Sequence, residues 1–226
     1  MQCLKLKGEM KQQYGCLCLV LSVSLVKLRK APLKTTTWHP GADFLLKDPK
    51  DIENDLKQWK IIPDLLDEAP LLPIQVEWYG GPKVFFGSEI NLTITKTEPF
   101  WVGWDPKIAE LYTMILTGID EKSKEHTMHG EKQHWIIGNI EECDYAEGEY
   151  LTEYMGPKPL EGKGYFRYVF LVYWQPHKIE FNEPKITSTQ NNHLRTNFSS
   201  KAFAEKYNLG KPIAVNFFRT RHDVGS

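Results

Sequence analysis

Glu153-Tyr154-Met155-Gly156-Pro157-Lys158-Pro159-Leu160-Glu161-Gly162-Lys163-Gly164-Tyr165-Phe166-Arg167-Tyr168, running on into Val169-Phe170-Leu171-Val172-Tyr173, decides the fold. The block sets three glycines and two prolines directly before a dense aromatic run. Glycine and proline fix a tightly turned backbone and let main-chain N–H groups approach a ligand closely. The run that follows has the period of a strand. It sends Phe166, Tyr168, Phe170 and Val172 to one face and Arg167, Val169, Leu171 and Tyr173 to the other. Taken alone, such a loop is either a ligand cradle or an ordinary β-turn.

Outward from this block, strands dominate. Ile74, Val76 and Trp78 alternate with Gln75 and Glu77 until Gly80-Gly81-Pro82 stops the run. Ile90, Leu92 and Ile94 alternate with Asn91, Thr93 and Thr95, which predicts a half-buried strand. Further strands are predicted over 111–117, 134–140, 166–174 and 213–218. Two helices are marked by their ends. Asp48 reads as an N-cap with Pro49 in the first turn, and Ile52, Leu56 and Trp59 share a face. Ser199 or Ser200 caps the second, Phe203 and Tyr207 share a face, and Gly210 suits the C′ position before Pro212. The pattern is mainly β, a sandwich with a few peripheral helices.

The order of these segments resembles the phosphatidylethanolamine-binding protein (PEBP) family, particularly its arthropod members. The Gly/Pro block is similar to the family's Tyr-x-Gly-x-x-Pro-Pro-x-Gly-x-Gly-x-His-Arg-Tyr motif. Tyr112-Thr113-Met114-Ile115-Leu116-Thr117 matches the strand leading into its Asp-Pro-Asp turn, and His134-Trp135-Ile136-Ile137-Gly138-Asn139-Ile140 its pocket-histidine strand. Leu209 to Phe218 resembles the closing strand, and Ile62 to Asp67 the family's N-terminal segment. The resemblance spans roughly residues 50 to 223. It implies a PEBP-like β-sandwich over 48–226, apparently without the family's C-terminal helix.

Size and charge are compatible with one domain. The 226 residues suffice for a single core, and a net charge of -1 gives no basic face for nucleic acid. The 12% aromatic content suits a β-rich core with a pocket. Cys3, Cys16 and Cys18 lie in the N-terminal segment, leaving Cys143 alone in the body as an unpaired thiol, so no disulfide framework is expected. Residues 1–47 read as an extension. Its apolar run, 14–26, follows Lys5, Lys7 and Lys11 and has the length of a signal peptide core, too short for a comfortable membrane span. The alternatives are a secreted protein with a cleaved leader and a cytoplasmic one with a disordered or partly helical extension. Asn91 and Asn197 head glycosylation sequons that matter only in the first case.

In the family, a small pocket at the sheet edge holds a phosphate or phosphorylethanolamine anion. The resemblance places Asp120, His134, Gly156, Lys158, Pro159, Phe166 and Tyr168 at that pocket. Imidazole, phenol hydroxyl and main-chain N–H groups are all donors to an oxyanion. Arg167 reads as structural, pairing with a carboxylate on the opposite face of the strand. The departures matter equally. Gly118 and Ile119 stand where the family has Asp-Pro, Phe166 replaces a second pocket histidine, Lys158 replaces a loop glycine, and Leu160 replaces a loop proline. Lys158, or Lys122 and Lys132 near the rim, could restore anion attraction, whereas Phe166 and Leu160 favour an uncharged apolar ligand.

His126, His129 and His134 make a spaced series, but in a charged loop without supporting cysteines they read as solvated rather than metal-ligating. No cofactor is implied. With no nucleophile elbow and no P-loop, the expectation is a non-catalytic monomer that binds a small anionic or lipid-like ligand. The alternative is a protein-interaction module or an inhibitor of a kinase or serine protease with a degenerate pocket.

Overall fold

The computed structural model describes residues 47–121, 130–189 and 192–222. The apolar run 14–26, with Lys122, Lys124, His126 and His129, lies outside them. The first helix, α1 (Pro49–Gln58), begins as its sequence dictates: the Asp48 side chain accepts from Lys50 N, and Pro49 occupies the first turn. A short turn of helix, α2 (Ile61–Asp64), follows. Nine strands come next: β1 (Leu72–Pro73), β2 (Gln75–Glu77), β3 (Ser88–Glu89), β4 (Trp101–Gly103), β5 (Leu111–Gly118), β6 (Lys132–Glu141), β7 (Glu149–Thr152), β8 (Tyr165–Gln175) and β9 (Ala214–Arg221). One more helix, α3 (Ser200–Lys206), precedes β9.

Seven strands form one sheet in the order β1-β9-β8-β5-β6-β7, with β3 also on β9, while β2 and β4 make a separate antiparallel ribbon. The aromatic strand β8 is central, antiparallel to both β5 and β9. Its alternation sorts the two cores. Phe166, Tyr168, Phe170 and Val172 join Val76 and Val102 of the ribbon in one cluster. Val169, Leu171 and Tyr173 join Ile52 and Leu56 of α1 and Phe203 of α3 in the other. Each large side chain so buried contributes about 1.5–3 kcal/mol, and this anchors β8 between a β layer and a helical layer. The mainly-β sandwich expected from the sequence is the fold observed.

Buried polar groups fasten the loops to this frame. Asn216 in β9 is fully buried. Its amide donates to Ile74 O and Val84 O, while its carbonyl accepts from Phe86 N and Phe217 N. Cys143 is a free buried thiol, and burial pushes its pKa up to about 12. Asn91 and Asn197 are both exposed. No helix among the described residues is long and apolar enough to cross a membrane.

Two local expectations need correction. Residues 90–95 are not a strand. Asn91 Oδ1 accepts from Thr93 N, Asn91 O accepts from Ile94 N and Thr95 N, and Ile94–Lys96 is a turn of 3₁₀ helix. Short polar side chains offer the backbone local partners that compete with a strand ladder, and here they win. The C′ position of α3 belongs to Asn208 (φ 52°), not Gly210. Leu209 N donates to Ala204 O and Asn208 N to Glu205 O, the paired bonds of a Schellman ending in which Asn substitutes for Gly. Gly210 (φ 71°) serves the next turn.

Candidate functional site

Asp120 and Glu121 follow β5 after Ile119, and the chain sends them to opposite sides. Asp120 Oδ2 accepts from Arg167 N at 2.8 Å and Nε at 2.9 Å, and Oδ1 accepts from Nη2 at 2.6 Å. The same guanidinium donates to Trp59 O, Lys60 O and Asp64 Oδ2. Arg167 is therefore structural, as expected: it ties the junction of α1 and α2 to β8. Asp120, expected at the pocket, is saturated by this pair. Arg167 and Tyr168 point to opposite faces of a strand, so a carboxylate bonded to the first is turned away from the second.

Glu121, which sequence reasoning did not single out, takes that place. Its Oε1 accepts from Tyr168 Oη at 2.7 Å and from Lys158 N at 3.3 Å, and it lies 3.2 Å from His134 Nε2. Its Oε2 accepts from Lys132 Nζ at 2.5 Å. Only 7% of the Glu121 side chain and 10% of the Lys132 side chain are exposed. Burial alone would raise the carboxyl pKa. His134 and Lys132 overcome it and hold Glu121 down at about 2, so the group is an anion at any physiological pH.

His134 is fully buried at the start of β6. Its Nδ1 lies 2.7 Å from Met155 O, a partner that can only accept, so Nδ1 carries a proton. Its Nε2 faces the Glu121 carboxylate off hydrogen-bond alignment, and no aligned partner satisfies it. The ring meets Tyr168 edge-on at 5.2 Å, and Tyr168 stacks on Phe218 at 5.3 Å, forming the aromatic wall. Burial and the adjacent Glu121 push the Tyr168 hydroxyl well above its ordinary pKa, which keeps it a donor.

The Gly/Pro loop supplies the remaining boundary. A Cβ at Gly156 would lie 2.6 Å from Thr95 O, so only glycine permits this approach of two backbones. Pro159 and Phe166 are buried, and Phe166 shares the Tyr168 face. Lys158 contributes its main-chain N–H, while its side chain is exposed. Of Lys132 and Lys158, the ammonium that reaches the site is that of Lys132. A Cβ at Gly118 would stand 3.0 Å from His134 Nε2. With no side chain at 118, the carboxylate facing the imidazole comes from three residues later.

Arg195 was also missed. It is fully buried and donates to the carbonyls of Gln133, His134, Glu153 and Thr187, fastening β6 to the segments around it. Nothing in its polar surroundings (Asn192–Arg195 is a single 3₁₀ turn) signals burial in sequence. A separate cleft of about 560 Å³ opens on the helical side, lined by Leu65, Leu66, Tyr173 and Ala204 among others. Two ion pairs span its charged rim, Lys201 with Asp67 and Lys211 with Glu68. Size does not make it the candidate site; the convergent donors lie across the sheet. No group of side chains suited to hold a metal occurs among the described residues.

A β-sandwich whose edge carries a buried histidine, a tyrosine and a Gly/Pro loop around one anion is the arrangement that comparison with known proteins now places in a family. The model of the phosphatidylethanolamine-binding protein family matches residues 87–218. A Drosophila melanogaster protein, "Putative odorant-binding protein A5", is 30% identical over 174 residues, which cover 77% of this chain and 82% of that protein. The chain belongs to the phosphatidylethanolamine-binding protein family. Among solved structures, carboxypeptidase Y inhibitor, determined in complex with its cognate proteinase, superposes with a TM-score of 0.65 at 22% identity. That match covers 80% of this chain and all of the inhibitor (100%). A Plasmodium vivax phosphatidylethanolamine-binding protein gives 0.62 at 18% identity, over 75% of this chain and 97% of that one. At these identities the two structures speak for the fold.

Proposed function

We propose that this protein is a non-catalytic binder of a small ligand carrying an oxyanion, a phosphate monoester or a carboxylate, at the pocket of His134, Tyr168, Lys132 and the Lys158 main chain. The observation that carries this reading is the convergence of three hydrogen-bond donors on one carboxylate, that of Glu121, with the His134 imidazole facing it at 3.2 Å. Groups of this kind, two of them able to carry charge, are complementary to an oxyanion and to little else. The name of the Drosophila relative agrees with small-ligand binding, and among the described residues the site contains no nucleophile–base pair that would point to turnover. Phe166, Pro159 and the Tyr168 wall give the ligand's uncharged part an apolar surface.

The test is a thermal-shift and calorimetric series with inorganic phosphate, phosphorylethanolamine and short carboxylates. Stabilisation that disappears in His134→Ala and weakens in Tyr168→Phe is the expected result. A flat response to every oxyanion, in wild type and in variants with Glu121 replaced, would overturn the reading and leave a protein-interaction role.

A further inference from the structure

The donors of the pocket are not waiting for a ligand; they already hold an anion that belongs to the chain. Resting on the oxyanion reading above, we propose that Glu121 is a built-in occupant of the anion site, and that an incoming oxyanion binds by displacing its carboxylate. Glu121 is thereby the residue that sets the affinity and selectivity of the pocket.

Three observations carry this. First, Glu121 Oε1 draws on three elements at once: Tyr168 from β8, His134 from β6 and the main-chain N–H of Lys158 from the loop. A simple counter-ion for Lys132 would need only the Oε2 contact. Second, the fit is imperfect at the most buried donor. His134 Nε2 has no exposed surface and no aligned hydrogen bond, although it faces the carboxylate at 3.2 Å. A planar carboxylate on a short side chain reaches Tyr168 and Lys132 and leaves the imidazole off line. A tetrahedral phosphate, with more acceptor oxygens, can address all of them. Third, Gly118 keeps the space beside Nε2 free, since any Cβ there would crowd the imidazole at 3.0 Å. The anion beside His134 is therefore supplied by a side chain that can leave, not by one fixed against the ring.

Among the described residues, the groups facing Glu121 are Lys132 and His134 from β6, Tyr168 from β8, and the loop at Lys158. Once Glu121 departs, the buried Lys132 ammonium needs replacement negative charge, which a phosphate monoester brings. A tethered competitor acts at high effective concentration, and affinity falls in proportion to the fraction of molecules with the site free. Simple anions therefore bind the wild-type protein weakly, and only a ligand with further contacts to the apolar wall competes well.

Calorimetric titration of the full chain at neutral pH with inorganic phosphate, phosphorylethanolamine and acetate tests the proposal on wild type, Glu121→Ala and Glu121→Gln. Phosphate should bind Glu121→Ala about ten- to a hundredfold more tightly than wild type, the range expected when a competitor held at high effective concentration is removed. Acetate should raise the melting temperature of Glu121→Ala and not that of wild type. Glu121→Gln keeps the side-chain volume without the charge; it serves if the alanine variant does not fold, and should show a smaller gain in the same direction. Equal affinity in wild type and variants would sink displacement while leaving the oxyanion pocket standing. Absence of binding in all three proteins removes the pocket reading itself. Tighter binding of phosphorylethanolamine than of phosphate by Glu121→Ala points to a lipid headgroup as the source, and equal binding to free phosphate.

Discussion

Glu121 and Glu131 are both shielded glutamates with main-chain N–H donors, yet they sit on opposite sides of the sheet in opposite electrostatic surroundings. Glu121 faces Lys132, His134 and Tyr168, and its pKa is held down at about 2. Glu131 faces the helical layer, where Oε1 accepts from Ser200 N at 2.8 Å and Oγ at 3.1 Å and Oε2 has no partner. Among the described residues no cation offsets its burial, so its pKa is raised. Hydrogen bonds from neutral groups compensate burial only in part, whereas a buried ammonium reverses its sign. The difference teaches that burial alone does not mark a functional acid. What marks Glu121 is the convergence of donors that are costly to assemble unless something negative belongs among them.

The comparison can be broken most forcefully at the ion pair. Replacing Glu121 with Leu leaves the Lys132 ammonium buried without an anion and should cost about 3–5 kcal/mol in denaturant unfolding at neutral pH. Adding Lys132→Met should restore most of that loss, because an apolar pair of similar volume often matches a buried salt bridge. A double variant as unstable as the single one would mean that Lys132 is not the partner that matters.

Acid titration probes the two carboxylates together. The folded pKa of Glu121 lies below its ordinary 4.5, so its contribution is present above that value and lost as pH falls toward about 2. By linkage this contribution is on the order of 3 kcal/mol. Glu131 behaves oppositely. Its raised pKa means the folded state holds the proton more tightly, so stability declines as pH rises from 4.5 through the folded value. Stability measured against pH should lose the acid-side slope in Glu121→Gln and the opposing slope in Glu131→Gln.

Smaller effects refine the contrast. Tyr168→Phe removes one donor to a charged acceptor and should cost about 1.5–3 kcal/mol, read by thermal unfolding. Glu131→Gln keeps an oxygen to accept from Ser200 and removes a poorly compensated charge. Its stability at pH 7 should fall within about 1 kcal/mol of wild type, neutral or favourable. A loss comparable to that of Glu121→Leu would erase the distinction drawn between the two acids.

Much of the fold was legible because period-two alternation in 166–173 states which residues share a face, and any sheet that buries both faces must respect it. The cap at Asp48 was legible because its partner, Lys50 N, lies two residues away. Residues 90–95 were misread because alternation describes a strand and a polar turn equally well when Asn and Thr can bond their own backbone. At the site, the family resemblance named His134 and Tyr168, and the structure brings both to Glu121. The exchange of Asp120 for Glu121 was missed, although a signal existed. Arg167 was expected to pair with a carboxylate on the face opposite Tyr168. Taking Asp120 for that pair leaves Glu121, the next residue, free to turn toward Tyr168.

By itself, the sequence determined the family, the central aromatic strand, the two faces of that strand and the glycine-bounded loop. These follow from local chemistry: side-chain period, caps and turn residues act over a few positions. Only the tertiary structure decided which acid meets His134 and Tyr168, that Lys132 rather than the Lys158 side chain pairs with it, and that Arg195 is buried behind His134. Each of those outcomes depends on groups 11 to 61 residues apart in the chain being brought within hydrogen-bonding distance. No local periodicity encodes such distances. They are fixed by how the strands pair and by what remains to neutralise a buried charge once they have.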